Sequence, residues 1–195
     1  KKTITVEKPF TFPHNGERYD LGQFAVPDRL QNEGFTMKSI ETRAAVALLS
    51  RNIRILSGGP SLDTYLPGET STETDRYFGG HIIVRQGFKQ FQMQGVELYQ
   101  LGQGGRMAHS PVNFHLVRQV PGYTFVQDCS IHDSMTRWIE LRGAQKVTLA
   151  RNVGYKSMGH GYLLAEGTEI NNYIRANIGI YARPAVAYRD NPRNI

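Results

Sequence analysis

Leu149-Ala-Arg-Asn-Val153 and Ile174-Arg-Ala-Asn-Ile178 share one frame: an apolar residue, two spacers, asparagine, and a second apolar residue. Leu49-Ser-Arg-Asn-Ile53 repeats it, and Met93-Gln-Gly-Val-Glu97 and Val126-Gln-Asp-Cys-Ser130 follow it more loosely. The steps are regular. Val126 to Leu149 is 149 − 126 = 23 positions, and Leu149 to Ile174 is 174 − 149 = 25. A second series lies between them, where Trp138-Ile-Glu-Leu-Arg-Gly143 aligns with Tyr162-Leu-Leu-Ala-Glu-Gly167 at 162 − 138 = 24. Two interleaved strand series with a common period near 24 describe a solenoid with more than one strand per turn, because each coil can bury its apolar face only against its neighbours. The expected fold is therefore all-β, a right-handed parallel β-helix with coils of about 24 residues. Asn52, Asn152 and Asn177 are expected to stack at one bend, where asparagine tolerates left-handed geometry and its amide can bond along the stack.

Outward from this frame the same pattern continues. Short apolar runs separated by glycine, asparagine and aspartate fill the chain, and helical periodicity is nearly absent. The step from Met93 to Val126 is longer, 126 − 93 = 33, and the excess falls near residues 102–110 and 119–122, where protruding loops are expected. Residues 57–79 hold Gly58-Gly59-Pro60 and Pro67-Gly68 and read as a long excursion from the coil. No second domain is apparent, so residues 1–195 read as a single β-helix domain excerpted from a longer chain. No run approaches the 18 apolar residues of a membrane span.

The net charge of +6 favours polyanionic partners. Its lysines and arginines are scattered rather than blocked, which argues against nucleic acid. Cys129 is the single cysteine, so no internal disulfide can form, and it reads as a small buried hydrophobe. No Asn-x-Ser/Thr sequon, phosphate-binding loop or Gly-x-Ser-x-Gly elbow occurs.

Several motifs occur in a fixed order: Gly79-Gly80-His81, Gly95-Val96-Glu97 with Leu101-Gly102-Gln103, Pro111-Val112-Asn113-Phe114-His115, Ser130-Ile131-His132, Val153-Gly154-Tyr155, and Gly159-His160-Gly161-Tyr162. With Ala44-Ala-Val-Ala-Leu-Leu-Ser-Arg-Asn52 upstream, they make residues 3–181 resemble a family's β-helix core. That family includes the cell-migration-inducing hyaluronan-binding protein, the transmembrane cell-surface hyaluronidase and the fibrocystin-like proteins. The resemblance implies an extracellular or cell-surface setting and an acidic glycan of hyaluronan type as partner. A bacterial relative is compatible with the missing sequons and cysteines. Asn113 stands where the family usually has histidine. Some members degrade hyaluronan while the fibrocystin-like ones are not known as enzymes, so glycosidase, polysaccharide lyase and non-catalytic adhesion module all stay open.

The strand alternation gathers candidate chemistry on one outer stripe. Val112, Phe114 and Leu116 share one face and Asn113 and His115 the other. In the aligned strands, Trp138, Glu140 and Arg142 are expected to match Tyr162, Leu164 and Glu166 outside, with Arg137 at the edge. Arg137 and Arg142 would pair with uronate carboxylates, and Trp138, Tyr162 and Asn113 would hold the sugar rings. For hydrolysis the candidate carboxylates are Glu140 and Glu166; for β-elimination His115 would serve as base, and His132 is a further catalytic candidate. His81 and His160 are the candidate metal ligands, for a divalent cation, although no His-x-His or His-Glu-x-x-His spacing occurs. The plain alternative is a ladder of satisfied polar side chains on a solvent face.

Overall fold

A computed structural model describes residues 5–20, 39–41, 43–58, 78–104 and 106–184. The chain divides into two compact units, Lys1–Ala47 and Leu48–Ile195. In the first, β1 (Arg18–Asp20) pairs antiparallel with β2 (Ser39–Glu41), and the Ala44 N–H donates to the Asn15 carbonyl at 2.9 Å.

The second unit contains only strands among its described residues. They are β3 (Ile53–Leu56), β4 (Ile82–Arg85), β5 (Gln92–Gln94), β6 (Val96–Tyr99), β7 (Val112–Gln127), β8 (Ser130–Ser134), β9 (Ile139–Ala150), β10 (Val153–Met158), β11 (Tyr162–Leu164), β12 (Tyr173–Arg175) and β13 (Ile178–Arg183). Every pairing among these strands is parallel. One sheet runs β3-β6-β8-β10-β13. The long strands β7 and β9 bend midway. Their first halves stack between β4 and β11, and their second halves between β5 and β12. The chain thus visits three faces in turn and climbs through about four coils, a parallel β-helix.

The repeat read from the sequence is the register of the structure. Met93 pairs with Val126, Val126 with Leu149, and Leu149 with Ile174. The longer coil absorbs its extra residues in the segment between β6 and β7 and in two register shifts, at His115/Arg118 and at Gln119/Thr124. Of the expected excursion over 57–79, residues 59–77 lie outside the described residues. Inward columns from all three faces make one core. Leu98 and Ile131 come from the first face, Val112, Phe114, Ile139 and Leu141 from the second, and Val126, Val147 and Leu149 from the third. Each such side chain contributes roughly 1.5–3 kcal/mol on burial. Cys129 sits in this core, as its composition context suggests, and burial pushes its thiol pKa up.

Corners are built by columns of left-handed residues. Gly95, Asp128, Arg151 and Ala176 each follow residues paired in register, and all have φ between 53° and 65°. Beside this column stands the asparagine ladder. Asn152 Oδ1 accepts the Cys129 N–H (3.1 Å), and Asn152 Nδ2 donates to the Val126 carbonyl (2.9 Å). Asn177 repeats the arrangement one coil on, accepting the Asn152 N–H and donating to the Leu149 carbonyl, each at 2.9 Å. The asparagine amides therefore satisfy backbone groups that the bend removes from the strand ladder. Two details correct the sequence reading. The left-handed residue is the one before Asn152 and before Asn177, and Asn52 belongs one column away, aligned with Gly95 and exposed. Asn152→Leu is expected to cost about 1–3 kcal/mol by stranding buried backbone groups. Thermal melting would show it, and an unchanged Tm would contradict the ladder's role.

Trp138 fills the interior at the next corner, 2% exposed. Its ring lies flush on three glycines from neighbouring strands and turns. A Cβ on Gly154, Gly161 or Gly179 would come within 2.3, 2.1 or 2.7 Å of the indole. Gly161→Ala should therefore overpack the corner and lower stability by about 1–3 kcal/mol. Denaturant melts followed by Trp138 fluorescence test this. Parental stability with unperturbed emission would contradict it.

Candidate functional site

On the second face, Asn113 pairs with Glu140 and His115 with Arg142. Alternation turns these four side chains away from the core that Val112, Phe114, Ile139 and Leu141 fill. Yet Asn113 and Glu140 are both 0% exposed. A buried carboxylate needs partners, because transfer from water costs several kcal/mol unless charge and hydrogen bonds compensate. Glu140 has them. Ser110 Oγ donates to Oε2 at 2.8 Å, Arg142 Nε donates to Oε1 at 3.1 Å, and the Arg137 guanidinium stands 3.8 Å from Oε2. Arg142 also bonds Glu166 from the following coil, so a single guanidinium bridges two carboxylates. The turn carrying Glu166 is fixed by Glu169, whose Oε1 accepts the Gly143 N–H at 2.6 Å and the Glu166 N–H at 3.0 Å. Burial alone would raise the Glu169 pKa, but these backbone donors outweigh it and hold it low.

The cluster is not self-satisfied. Both amide atoms of Asn113, the Nδ1 of His115 and the Nε of Arg137 are buried without a hydrogen-bond partner. Each such atom costs about 1–3 kcal/mol. Buried polar groups in native folds nearly always have a partner, ordered water included. All four atoms are closed to solvent, so a ligand on this face would meet the cluster through its reachable members, chiefly Arg142 and Glu166.

The structure thus brings Asn113, His115, Arg137, Glu140, Arg142 and Glu166 to one face. It places the two expected aromatic partners elsewhere. Trp138 and Tyr162 lie in the interior, 5.3 Å apart edge to face, with the Tyr162 hydroxyl donating to the Ile178 carbonyl at 3.2 Å. The cause is a slip of one residue. Tyr162 pairs with Ile139, not Trp138, so its side chain points inward. Burial pushes the Tyr162 pKa up. His132 is on a different face, with Nδ1 2.8 Å from Asp133 Oδ2 and Nε2 3.4 Å from Glu97 Oε1. His81 packs against His109 at 4.4 Å, where burial and the neighbouring imidazole lower its pKa. His160 is exposed in the connection between β10 and β11. Among the described residues no three His, Cys, Asp or Glu side chains group as metal ligands.

Sequence reasoning missed Ser110, which caps Glu140 from the preceding loop, and Glu97. It also missed an aromatic column on the five-stranded face. There the signal was present: Glu97-Leu-Tyr99, Ser130-Ile-His132 and Val153-Gly-Tyr155 each carry a ring at the third place of the repeat.

A parallel β-helix with a polar cluster sealed onto one outer face defines the class of protein. Residues 77–194 match the family described as CEMIP beta-helix, and the chain belongs to that family. Among curated proteins it is similar to cell surface hyaluronidase CEMIP2 of Homo sapiens, 32% identical over 157 residues, covering 77% of this chain and 11% of that protein. It is 32% identical over 160 residues to the cell migration-inducing and hyaluronan-binding protein of Mus musculus, covering 77% and 12%. It is also 35% identical over 147 residues to communication mutant protein F of Dictyostelium discoideum, covering 75% and 12%. The chain thus spans about a tenth of the length of these relatives.

Glu97 generates a pH expectation. Burial raises its pKa, but the Arg51 N–H, the Arg54 guanidinium and the His132 imidazole outweigh that and bring it below its ordinary 4.5. A carboxylate whose pKa is depressed on folding stabilises the protein above its unfolded value, and that contribution is lost as pH falls through the folded one. Glu97→Gln is therefore expected to lower Tm at neutral pH. The gap to the parent should narrow as pH falls below the ordinary glutamate value and close once the parent's carboxylate protonates. A gap independent of pH would contradict the assignment.

Proposed function

We propose that this β-helix binds an extracellular acidic polysaccharide of hyaluronan type at the outer face of β7 and β9. The observation that carries the reading is the row of alternating charges Arg137, Glu140, Arg142 and Glu166 on that face, of which Arg142 and Glu166 are reachable from solvent. Guanidinium and carboxylate groups match sugar hydroxyls and uronates, and the net charge of +6 favours a polyanion. The names of the human and mouse relatives point to the same polymer and, for the human one, to the cell surface.

The arrangement favours holding the glycan over cleaving it. Glycoside hydrolysis asks for one carboxyl group to give a proton and another to act as base or nucleophile. Here Arg142 clasps both Glu140 and Glu166, and Glu140 is further capped by Ser110. Glu166, the more exposed of the two, is the residue from which proton transfer would come in a catalytic member.

Incubation of the chain with hyaluronan separates the readings. Shortened chains without ultraviolet absorbance mean hydrolysis, shortened chains with unsaturated uronate absorbance mean elimination, and unchanged chain length with binding means a recognition module. In any of the three, binding is expected to weaken as salt is raised, since the Debye length falls to about 8 Å at physiological ionic strength. Arg137→Ala should lose about tenfold or more in affinity, the size of a hydrogen bond made by a charged group. Glu166→Gln should retain binding and reduce any turnover. Parental binding and turnover in both variants would show the stripe to be an ordinary solvent face.

A further inference from the structure

Of the six histidines in the chain, only His81 and His109 stand ring to ring. His81 comes just before β4 and His109 three residues before β7, so stacking of the coils brings them together. Both are half-buried, and so within reach of solvent. Their backbones are held on both sides. Beside His81, the Gly80 N–H donates to Ser57 Oγ at 2.8 Å and the Ile82 N–H to the Pro111 carbonyl at 3.0 Å. The His109 carbonyl accepts the Gln103 N–H at 2.9 Å, and the next residue, Ser110, donates to Glu140. His109 Nδ1 lies 2.5 Å from the Met107 carbonyl. A carbonyl oxygen can only accept, so Nδ1 carries the proton and Nε2 keeps its lone pair. A metal-ligating histidine is fixed in this way, with its second ring nitrogen donating to a backbone carbonyl or carboxylate. Burial and the neighbouring imidazole lower the His81 pKa, which favours the neutral ring a metal requires.

We propose that His81 and His109 form a two-histidine site for a divalent transition-metal ion, copper(II) above the others, with solvent in the remaining positions. The ring separation fits. With metal–nitrogen bonds of about 2.0–2.1 Å, two imidazoles at adjacent positions on one ion have ring centres about 4.5 Å apart. The centres here are 4.4 Å apart, and the planes are tilted by 52°. A tilt of that size is compatible with nitrogen edges that converge on one ion, whereas parallel stacking would forbid it. Imidazole suits copper, nickel and zinc, and affinity along the first row peaks at copper(II). Calcium and magnesium ask for oxygen ligands instead. No three His, Cys, Asp or Glu side chains group as ligands among the described residues, so the site is open and exchangeable, unlike a closed structural zinc centre. The inference stands apart from glycan binding. It also gives His81 a different partner from the one the sequence suggested, His109 in place of His160.

The test is titration of the whole chain with copper(II) chloride, followed by calorimetry and electron paramagnetic resonance, with zinc and calcium chloride in parallel. The parent is expected to bind one copper ion per chain with nitrogen hyperfine structure in its spectrum, zinc more weakly, and calcium not at this site. His81→Gln and His109→Gln should each weaken copper binding by at least the roughly 10–100-fold that loss of even an outer-shell partner costs a metal site. His160→Gln, which alters an exposed histidine elsewhere, should keep the parental affinity. The Tm of each protein is read with and without copper, since an ion that binds only the folded state raises it. The rise is expected in the parent and in His160→Gln and should vanish in the other two. Comparison within each variant separates this effect from any change in basal stability. Parental copper affinity in both His81→Gln and His109→Gln overturns the site. So does loss of binding in His160→Gln alone, a copper spectrum without nitrogen ligation, or calcium binding that displaces copper.

Discussion

A parallel coil can stack on its neighbour only if every bend falls in the same column. This constraint governs the rest of the protein. The left-handed positions line up coil after coil, with Gly95, Asp128, Arg151 and Ala176 at one corner and Gln100, Asp133, Lys156 and Tyr181 at another. Most are not glycine, so each pays the roughly 1–2 kcal/mol that a Cβ adds to left-handed backbone. The cost is offset locally. The Arg151 guanidinium grips Asp128 through contacts of 2.6 and 2.7 Å, holding that carboxyl below its usual range, and the adjoining asparagine ladder supplies hydrogen bonds where the strands break. Because the bends are fixed, inward and outward positions are fixed as well. The same geometry that fills the core with Leu98, Ile131, Leu141 and Leu149 lines up Asn113 with Glu140 outside it.

How much of this was legible in the chain depends on how each feature is encoded. The coil period was plain, because Val126, Leu149 and Ile174 recur with an apolar partner at each step and their registers are those of the structure. The polar face around Glu140 was legible for the same reason: strand alternation alone separates Asn113 and His115 from Val112 and Phe114. The placement of Trp138 and Tyr162 was not. Both are large aromatics at similar distances before a glycine, so they invite alignment with each other. The strand, however, pairs Ile139 with Tyr162 and leaves Trp138 at the corner beside Gly161. A difference of one residue reverses a face, and nothing in the local sequence marks it. The burial of Glu140 was also hidden, since it depends on Ser110 arriving from a loop thirty residues earlier in the chain.

The motifs that tie this chain to its family have a physical meaning distinct from chemistry. Gly154, in the Val-Gly-Tyr motif, and Gly161, in the Gly-His-Gly-Tyr motif, form the slot for the indole of Trp138. Gly79 and Gly102 let two coils approach at a corner, where the Gly79 N–H donates to the Gly102 carbonyl and the Gly102 N–H to the Gly80 carbonyl, each at 2.7 Å. A Cβ on Gly79 would fall 2.4 Å from the Gln100 carbonyl oxygen. These positions specify the fold, and a fold can host binding or catalysis alike. The proposed site draws instead on side chains that the fold does not require, Arg137 and Arg142 among them.

The most direct measurement is a crystal structure of the chain grown or soaked with a hyaluronan oligosaccharide. The expected result is a sugar whose hydroxyl or carboxylate oxygens lie within hydrogen-bonding distance of the Arg137 or Arg142 guanidinium nitrogens on the β7–β9 face. Bound oligosaccharide that leaves those atoms to ordered water, or that avoids the β7–β9 face altogether, would contradict the account.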